Sequence, residues 1–435
     1  MSLIQNNDVI RIVGCQEITG DVLISGAKNS VLKLMAASLL TDGQTCIKNT
    51  PLISDVRHMG EVLRYLGADV SFADNAVQID TSSIQGYEAP YELVSQMRAS
   101  IAVLGPLIAR FGRARVAMPG GCNIGSRKLD IHITALEALG VQFDVDAGFI
   151  IAETPYGLKG SAIKLTFPSV GATENLIMAA VRADGETIIS NAAREPEIVD
   201  LANYLSKMGA EIQGAGSSQI IIHGTNRLEP VKEHVTVGDR IEAGTFLVAG
   251  ALMGNPVKVR GINPEHLEMA LQKFEDMGVE VAREADSITV WRERPLQAVS
   301  IQTLPFPGFP TDLQTQFMVL CCLAGGESKI TENIFENRFQ LANELVRMGA
   351  HIDIQNHFAY IQGVHGLSGV PVKASDLRGG AALVLAGLVA DGVTEVSGVE
   401  HIDRGYEDFT KKLVGIGANV TRVIASSADF DLVSS

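Results

Sequence analysis

An α/β architecture of six repeated βαβαββ units, each with a buried helix at its centre, is what this sequence predicts. Three observations carry the prediction. First, a helical pattern ending in Gly and running into alternating apolar residues recurs at Gly67, Gly140, Gly209, Gly278, Gly349 and Gly417. Second, a turn after an apolar stretch recurs at Gly43, Gly112, Gly185, Gly254, Gly326 and Gly392. Both markers repeat roughly every 70 residues, so six such units account for nearly the whole chain. Third, the stretches 31–40, 100–109, 176–183, 245–253, 317–325 and 381–390 are apolar nearly all round, and a helix apolar on every face is buried on every face.

Each unit reads the same way in order. A strand leads into the apolar helix, and a Gly turn returns the chain into a second strand. An amphipathic helix follows and stops at Gly, the residue that accepts the left-handed conformation just past a helix end. Two strands close the unit, as in Glu211–Gln213 followed by 218–222. The apolar helices gather centrally with the sheets outside them, the reverse of a β/α barrel. A doubly wound parallel sheet is the competing architecture, and the paired strands ending each unit count against it. Six units can close as one ring or as two groups of three, and spacing alone leaves both open.

Composition excludes several classes. The 435 residues allow two or three domains. A formal net charge of −15 argues against a nucleic-acid or anionic-membrane surface as the main business. No apolar run approaches the ~20 residues of a membrane span. The first residues lack the basic and apolar regions of a signal peptide. Cys15, Cys46, Cys122, Cys321 and Cys322 show no CxxC spacing, so neither a disulfide framework nor a zinc site is expected, and a cytoplasmic setting is.

Four groups of residues could carry chemistry. Ser25-Gly26-Ala27-Lys28-Asn29-Ser30 follows a strand and opens the first buried helix. There Gly permits close backbone approach and Lys28 supplies a point charge for an anion. The other reading makes Lys28 a solvated helix-start residue. Residues 118–127, Met-Pro-Gly-Gly-Cys-Asn-Ile-Gly-Ser-Arg, form a surface loop. Arg127, with Arg113 and Arg115, could lower the pKa of the Cys122 thiol; the remaining cysteines beside apolar stretches read as inert. Asp312 stands after two prolines at a helix start, where an Asp is most often an N-cap but could also remove a hydroxyl proton. Arg98, Arg338, Arg378 and Arg404 lie beside buried helices rather than in charge runs. Each reads singly as a structural ion pair, Arg404 with Asp403 or Glu407, and together with Lys28 as a grip on a polyanion. Asp239 reads as a cap on the fourth apolar helix.

The segments GAKNS, PGGCNIGSR, DIHI, AAREPEIVD, DRIEAGTF, FPTDLQTQF, ENIFENRF, DLRGGAALVLAG and HIDRGYE occur in one order along the chain. This ordered set closely resembles the UDP-N-acetylglucosamine 1-carboxyvinyltransferases, the enolpyruvyl transferases that begin peptidoglycan precursor synthesis. The resemblance implies an inside-out α/β barrel of two domains, residues 1–28 plus 237–435 and residues 29–236, each of three βαβαββ units, with the substrate cleft between them. It implies transfer of the enolpyruvyl group of phosphoenolpyruvate to the 3′-hydroxyl of UDP-N-acetylglucosamine by addition and elimination, with phosphate released and neither cofactor nor metal. Lys28, Arg127 and Arg404 would then hold the phosphate, and Arg338 and Arg378 the carboxylate side. Asn29 and Arg98 would line the substrate sites, and Asp312 would help remove the hydroxyl proton. Cys122 would donate a proton, form the adduct with phosphoenolpyruvate and be the target of fosfomycin. Arg127, Lys128, Leu129, Asp130 and Ile131, with Phe167, Pro168, Ser169, Val170 and Ile334, would face the uridine nucleotide. Lys128 and Phe167-Pro168 depart from the family, which often has Pro at the former place and Lys before Ser-Val-Gly-Ala.

Two other activities and one other class stand beside this reading. A 5-enolpyruvylshikimate-3-phosphate synthase would share fold and donor, and a paralogue could take a different uridine nucleotide. A catalytically silent repeat scaffold would only bind a partner. Against it, the unusual residues differ from unit to unit and sit on loops. An enzyme is expected to lose turnover, with its folding intact, when Asp312 is replaced by Ala.

Overall fold

The helices that read as apolar all round are enclosed. In the computed structural model, which describes residues 8–14, 17–94, 97–118 and 129–424, every residue of Gln314–Cys322 is buried, as is every residue from Arg240 to Leu252 and from Arg378 to Leu388. The chain divides into two units. One comprises the described residues through Ile24 together with those from Asp239 onward; the other comprises the described residues from Ser25 to Gly238.

In the first unit the helices Arg240–Met253, Gln314–Cys322 and Leu377–Val389 pack against one another, and Phe317 of the second meets Phe309 edge-on and Phe274 at a tilt. In the second, Lys28–Ala37 and Leu104–Phe111 are joined by Val170–Ala180, and each unit has its own apolar core. Amphipathic helices such as Ser54–Tyr65, Pro196–Lys207 and Glu268–Asp276 bury one face only.

Among the described residues each unit carries three four-stranded sheets. Each sheet joins one parallel pair to two antiparallel pairs. Ala162–Lys164, Glu186–Ser190, Gln219–His223 and Glu211–Gln213 are one example, in that spatial order. The marker glycines explain the regularity. The six that end the amphipathic helices have φ between 82° and 104°, a region a side chain would strain.

Two strands depart from simple sequential units. Gly20–Leu23, which precedes the first buried helix, pairs in parallel with Val257–Arg260 rather than with the next strand, Gln44–Lys48. Its expected place beside Gln44–Lys48 is taken by His234–Val235. Val9–Val13 lies between Val393–Ser397 and Val420–Val423, completing the sixth unit's sheet with residues from the other end of the described chain.

Candidate active site

Asp312 lies in the short turn Thr311–Leu313 that enters the Gln314–Cys322 helix. It is not the cap that its position predicts: Leu313 holds that place and no side chain caps it. Instead the Asp312 carboxylate receives two arginines. Arg338 Nη2 donates to Oδ1 at 2.9 Å, and Arg378 donates to Oδ2 through Nη2 at 3.2 Å and Nε at 3.4 Å. The guanidinium side chains are 2% and 4% exposed, whereas the carboxylate is 25% exposed. The acid therefore stands at the accessible end of a buried cationic pair. Arg378 holds its place in the first turn of Leu377–Val389, whose N-cap Asp376 accepts from the amides of Arg378 and Gly379.

Behind Arg378 lies a buried polar wall. The Tyr406 ring is 5.3 Å from the guanidinium carbon. Its hydroxyl meets Thr245 Oγ1 at 2.9 Å and Gln316 Nε2 at 3.2 Å. Burial works against the Arg378 charge, but Tyr406, Asp312 and Asp239 outweigh it and hold its pKa above the ordinary value. Burial pushes the Tyr406 phenol up in spite of the neighbouring guanidinium. Arg338 Nε and Arg378 Nη1 are buried without a hydrogen-bond partner among the described residues.

Glu332 is the positioning acid that the sequence reading missed. One Glu332 oxygen accepts from Thr303 Oγ1 and from the amides of Ile334 and Phe335; the other accepts from Thr311 Oγ1. It thereby ties the segment bearing Ile334 and Arg338 to the turn bearing Asp312. The only sequence signal was a lone acid after a strand, followed two and three residues later by amides it could accept from.

Arg404 is half-buried in the turn after Val399–Ile402. Beside it Asp403 pairs with Arg422, which also reaches Asp8. Asp239 does cap its helix, accepting from the amides of Ile241 and Glu242.

In the other unit, Lys28 is not solvated. It is 8% exposed at the first position of Lys28–Ala37, and its Nζ lies 2.7 Å from Asp55 Oδ2. Asn29 beside it is half-buried. Gly26 does permit a close approach, but to this chain's own backbone: a Cβ there would sit 1.7 Å from the Asn49 carbonyl oxygen. Arg113 packs over the Tyr87 ring, and Arg115 pairs with Glu88 and packs over Phe149.

Leu129, Asp130 and Ile131 begin the Asp130–Glu137 helix, and Phe167, Pro168, Ser169 and Val170 lead into Val170–Ala180. These two helices pack together, with His132 Nδ1 3.3 Å from Asn175 Nδ2. Ser169 caps the second helix through the Ala172 amide, and Phe167 is 40% exposed. Cys122, Arg127 and Lys128 lie outside the described residues, as does the side chain of Arg98. Cys321 and Cys322 are buried as expected. Burial pushes the Cys321 thiol up to about 12 and the Cys322 thiol higher still, so neither is a ready nucleophile. Among the described residues no group of three or more His, Cys, Asp or Glu could hold a metal ion, and no helix is long and apolar enough to cross a membrane.

Glu174 is fully buried, with Lys33 Nζ 2.9 Å from its Oε2. Burial pushes this carboxyl from 4.5 up to about 7; Lys33 opposes the rise, and Glu197 and Glu195 add to it. The native state therefore keeps a proton that the unfolded chain releases between about pH 4.5 and 7. The group's contribution is fully present below the lower of these values and is lost as pH rises through the upper one. The loss amounts to about 3 kcal/mol. Glu174→Gln is expected to flatten the fall in unfolding free energy over this window, read by urea unfolding at successive pH values. Parallel profiles for the two proteins would remove Glu174 as the cause.

A family profile described as EPSP synthase (3-phosphoshikimate 1-carboxyvinyltransferase) matches residues 12–413. The chain is 50% identical over 421 residues to UDP-N-acetylglucosamine 1-carboxyvinyltransferase 2 of Staphylococcus saprophyticus, covering 96% of this chain and 100% of that one. It is 49% identical over 416 residues to UDP-N-acetylglucosamine 1-carboxyvinyltransferase of Geotalea uraniireducens, covering 96% and 99%. Among solved structures, the enolpyruvyl transferase NikO from Streptomyces tendae superposes with a TM-score of 0.87 at 26% identity, covering 97% of this chain and all of that one. EPSP synthase from Acinetobacter baumannii superposes at 0.74 with 16% identity over 96% of this chain and all of that one, a likeness of fold.

Proposed function

We propose that this chain, which belongs to the EPSP synthase (3-phosphoshikimate 1-carboxyvinyltransferase) family, acts as a UDP-N-acetylglucosamine 1-carboxyvinyltransferase in the cytoplasm, supplying peptidoglycan synthesis. The supporting observation is identity of about 50% along 96% of the chain to relatives bearing that name. The same reading makes each domain an inside-out α/β barrel of three βαβαββ repeats, one domain being residues 1–28 plus 237–435 and the other 29–236, whereas the two compact units divide a few residues away, at 24/25 and 238/239. The helices enclosed on every side support it.

In this reaction the 3′-hydroxyl oxygen of the sugar bonds to C2 of phosphoenolpyruvate while C3 takes a proton from Cys122. The hydroxyl proton passes to Asp312. In the second half the bond from C2 to the phosphate oxygen breaks, C3 returns a proton to the Cys122 sulfur, and phosphate leaves with the proton that Asp312 took up. Lys28, Arg127 and Arg404 hold the phosphate. Arg338 and Arg378 hold the carboxylate side, and the unused N–H on each buried guanidinium is a donor such a group would take. Fixed charges of this kind stabilise the charge that develops in the transition state. Asn29 and Arg98 line the substrate sites. The starts of the two packed helices at Leu129–Ile131 and Phe167–Val170 take the nucleotide, together with Ile334.

The test is phosphate release from phosphoenolpyruvate with each acceptor in turn, followed by product mass. Release is expected with UDP-N-acetylglucosamine, with a product heavier by one carboxyvinyl group. Release with shikimate 3-phosphate alone would overturn the proposal.

A further inference from the structure

We propose that Asp200 is a positioning residue for Lys28. The proposal rests on the reading above, in which Lys28 holds the phosphate of phosphoenolpyruvate. Asp200 lies within the Pro196–Lys207 helix and is 8% exposed. Its carboxylate gathers three donors from two distant parts of the chain. Ser30 Oγ donates to Oδ2 at 2.5 Å, the Val237 amide donates to Oδ2 at 3.2 Å, and His234 Nε2 lies 2.8 Å from Oδ1.

These contacts bracket Lys28. On one side the Ala27 amide donates to the Val237 carbonyl at 2.7 Å, and Gly26 bridges Gly238. On the other, Ser30 is tied to Asp200 two residues beyond Lys28. The Asn49 side chain adds a bond to the Thr236 carbonyl at 3.0 Å. His234 is itself seated edge-on against Tyr204, with ring centroids 5.2 Å apart. The first turn of Lys28–Ala37 and the returning segment 234–238 are thus locked to one oxygen pair.

A buried carboxylate is costly unless each oxygen is satisfied, and apolar packing would hold two segments together with less desolvation. What an ionic acceptor adds is direction. It fixes the helix start in one register, and a cationic group misplaced by about 1 Å can cost about a hundredfold in rate. Serine, histidine and aspartate meet here without forming a nucleophile. The carboxylate stands between the other two, and Ser30 is 1% exposed.

The experiment compares the wild type with Ser30→Ala, which deletes one donor, and Asp200→Asn, which removes the charge at constant shape. Steady-state KM is measured for each substrate, and amide hydrogen exchange is followed over residues 26–31 and 234–238. The expected result is a KM for phosphoenolpyruvate raised at least fivefold in both variants, a KM for UDP-N-acetylglucosamine within twofold of wild type, and faster exchange in both segments. If Asp200→Asn does not fold, Ser30→Ala decides. Equal changes in both KM values, or exchange unaltered over 26–31, would overturn the positioning role. A wild type without carboxyvinyl transfer would overturn the function instead, and the exchange measurement would still judge Asp200.

Discussion

Asp312→Asn is expected to lower kcat by about 10²–10⁴-fold, the range for loss of a positioned proton acceptor, the role proposed for this carboxylate. The amide keeps the shape of the carboxylate but offers one oxygen where Arg338 and Arg378 each use one. Two nearly buried guanidiniums then share a neutral partner. Breaking a buried ion pair by deleting one member costs about 3–5 kcal/mol. The partial exposure of Asp312 places Asp312→Asn below that range and Asp312→Ala nearer to it. Because both arginines are buried, a cost in stability is expected to accompany the loss of turnover in Asp312→Ala. Turnover measured well below the Tm of each variant, with the Tm read by circular dichroism, separates chemistry from folding. Turnover equal to wild type in a folded Asp312→Asn would take this carboxylate out of the reaction.

Gly26→Ala is expected to destabilise the unit formed by residues 25–238 by about 3 kcal/mol, the upper end for an overpacked site. The added methyl would overlap the Asn49 carbonyl oxygen. That oxygen belongs to backbone, and Asn49 is itself held at φ 53° with its side chain on Thr236. Neither side can yield without moving the start of the Lys28 helix. A Tm lower by roughly 6–12 °C follows for a unit of this size, together with weakened phosphoenolpyruvate binding. Gly366→Ala is the control: a Cβ there meets nothing within 4 Å, so its effect is expected within about 0.5 kcal/mol. Equal melting of the two variants would show that the segments bearing Gly26 and Asn49 can move apart at little cost.

Much of the fold was legible because its punctuation is chemical. A glycine past a helix end is visible in any sequence, and the positive φ values at Gly67 and its five equivalents are what that residue type permits. The enclosed helices were legible for the same reason, since an unbroken apolar surface has one stable place. The exchange of Gly20–Leu23 and His234–Val235 was not legible from pattern or spacing; only the resemblance put residues 1–28 with 237–435. A two-residue strand has no pattern, and its partner lies nearly 190 residues away. The site divided along the same line. Asp312 and the arginines stood out by their loop setting and their resemblance, but which acid met which arginine depended on contacts 26 and 66 residues apart. Asp200, Glu174 and Glu332 look like ordinary surface acids in sequence. Only the folded chain shows them buried, Asp200 and Glu332 among several donors and Glu174 beside the Lys33 ammonium.

The pairing of Val9–Val13 has a consequence for the order in which a ribosome can complete this protein. Both neighbours of that strand lie beyond residue 392, and Gly20–Leu23 must wait for Val257–Arg260. The described residues of the other unit all lie between 25 and 238 and can mature while synthesis continues. Residues 9–13 meanwhile stay an unpaired edge until residues 393–423 have emerged.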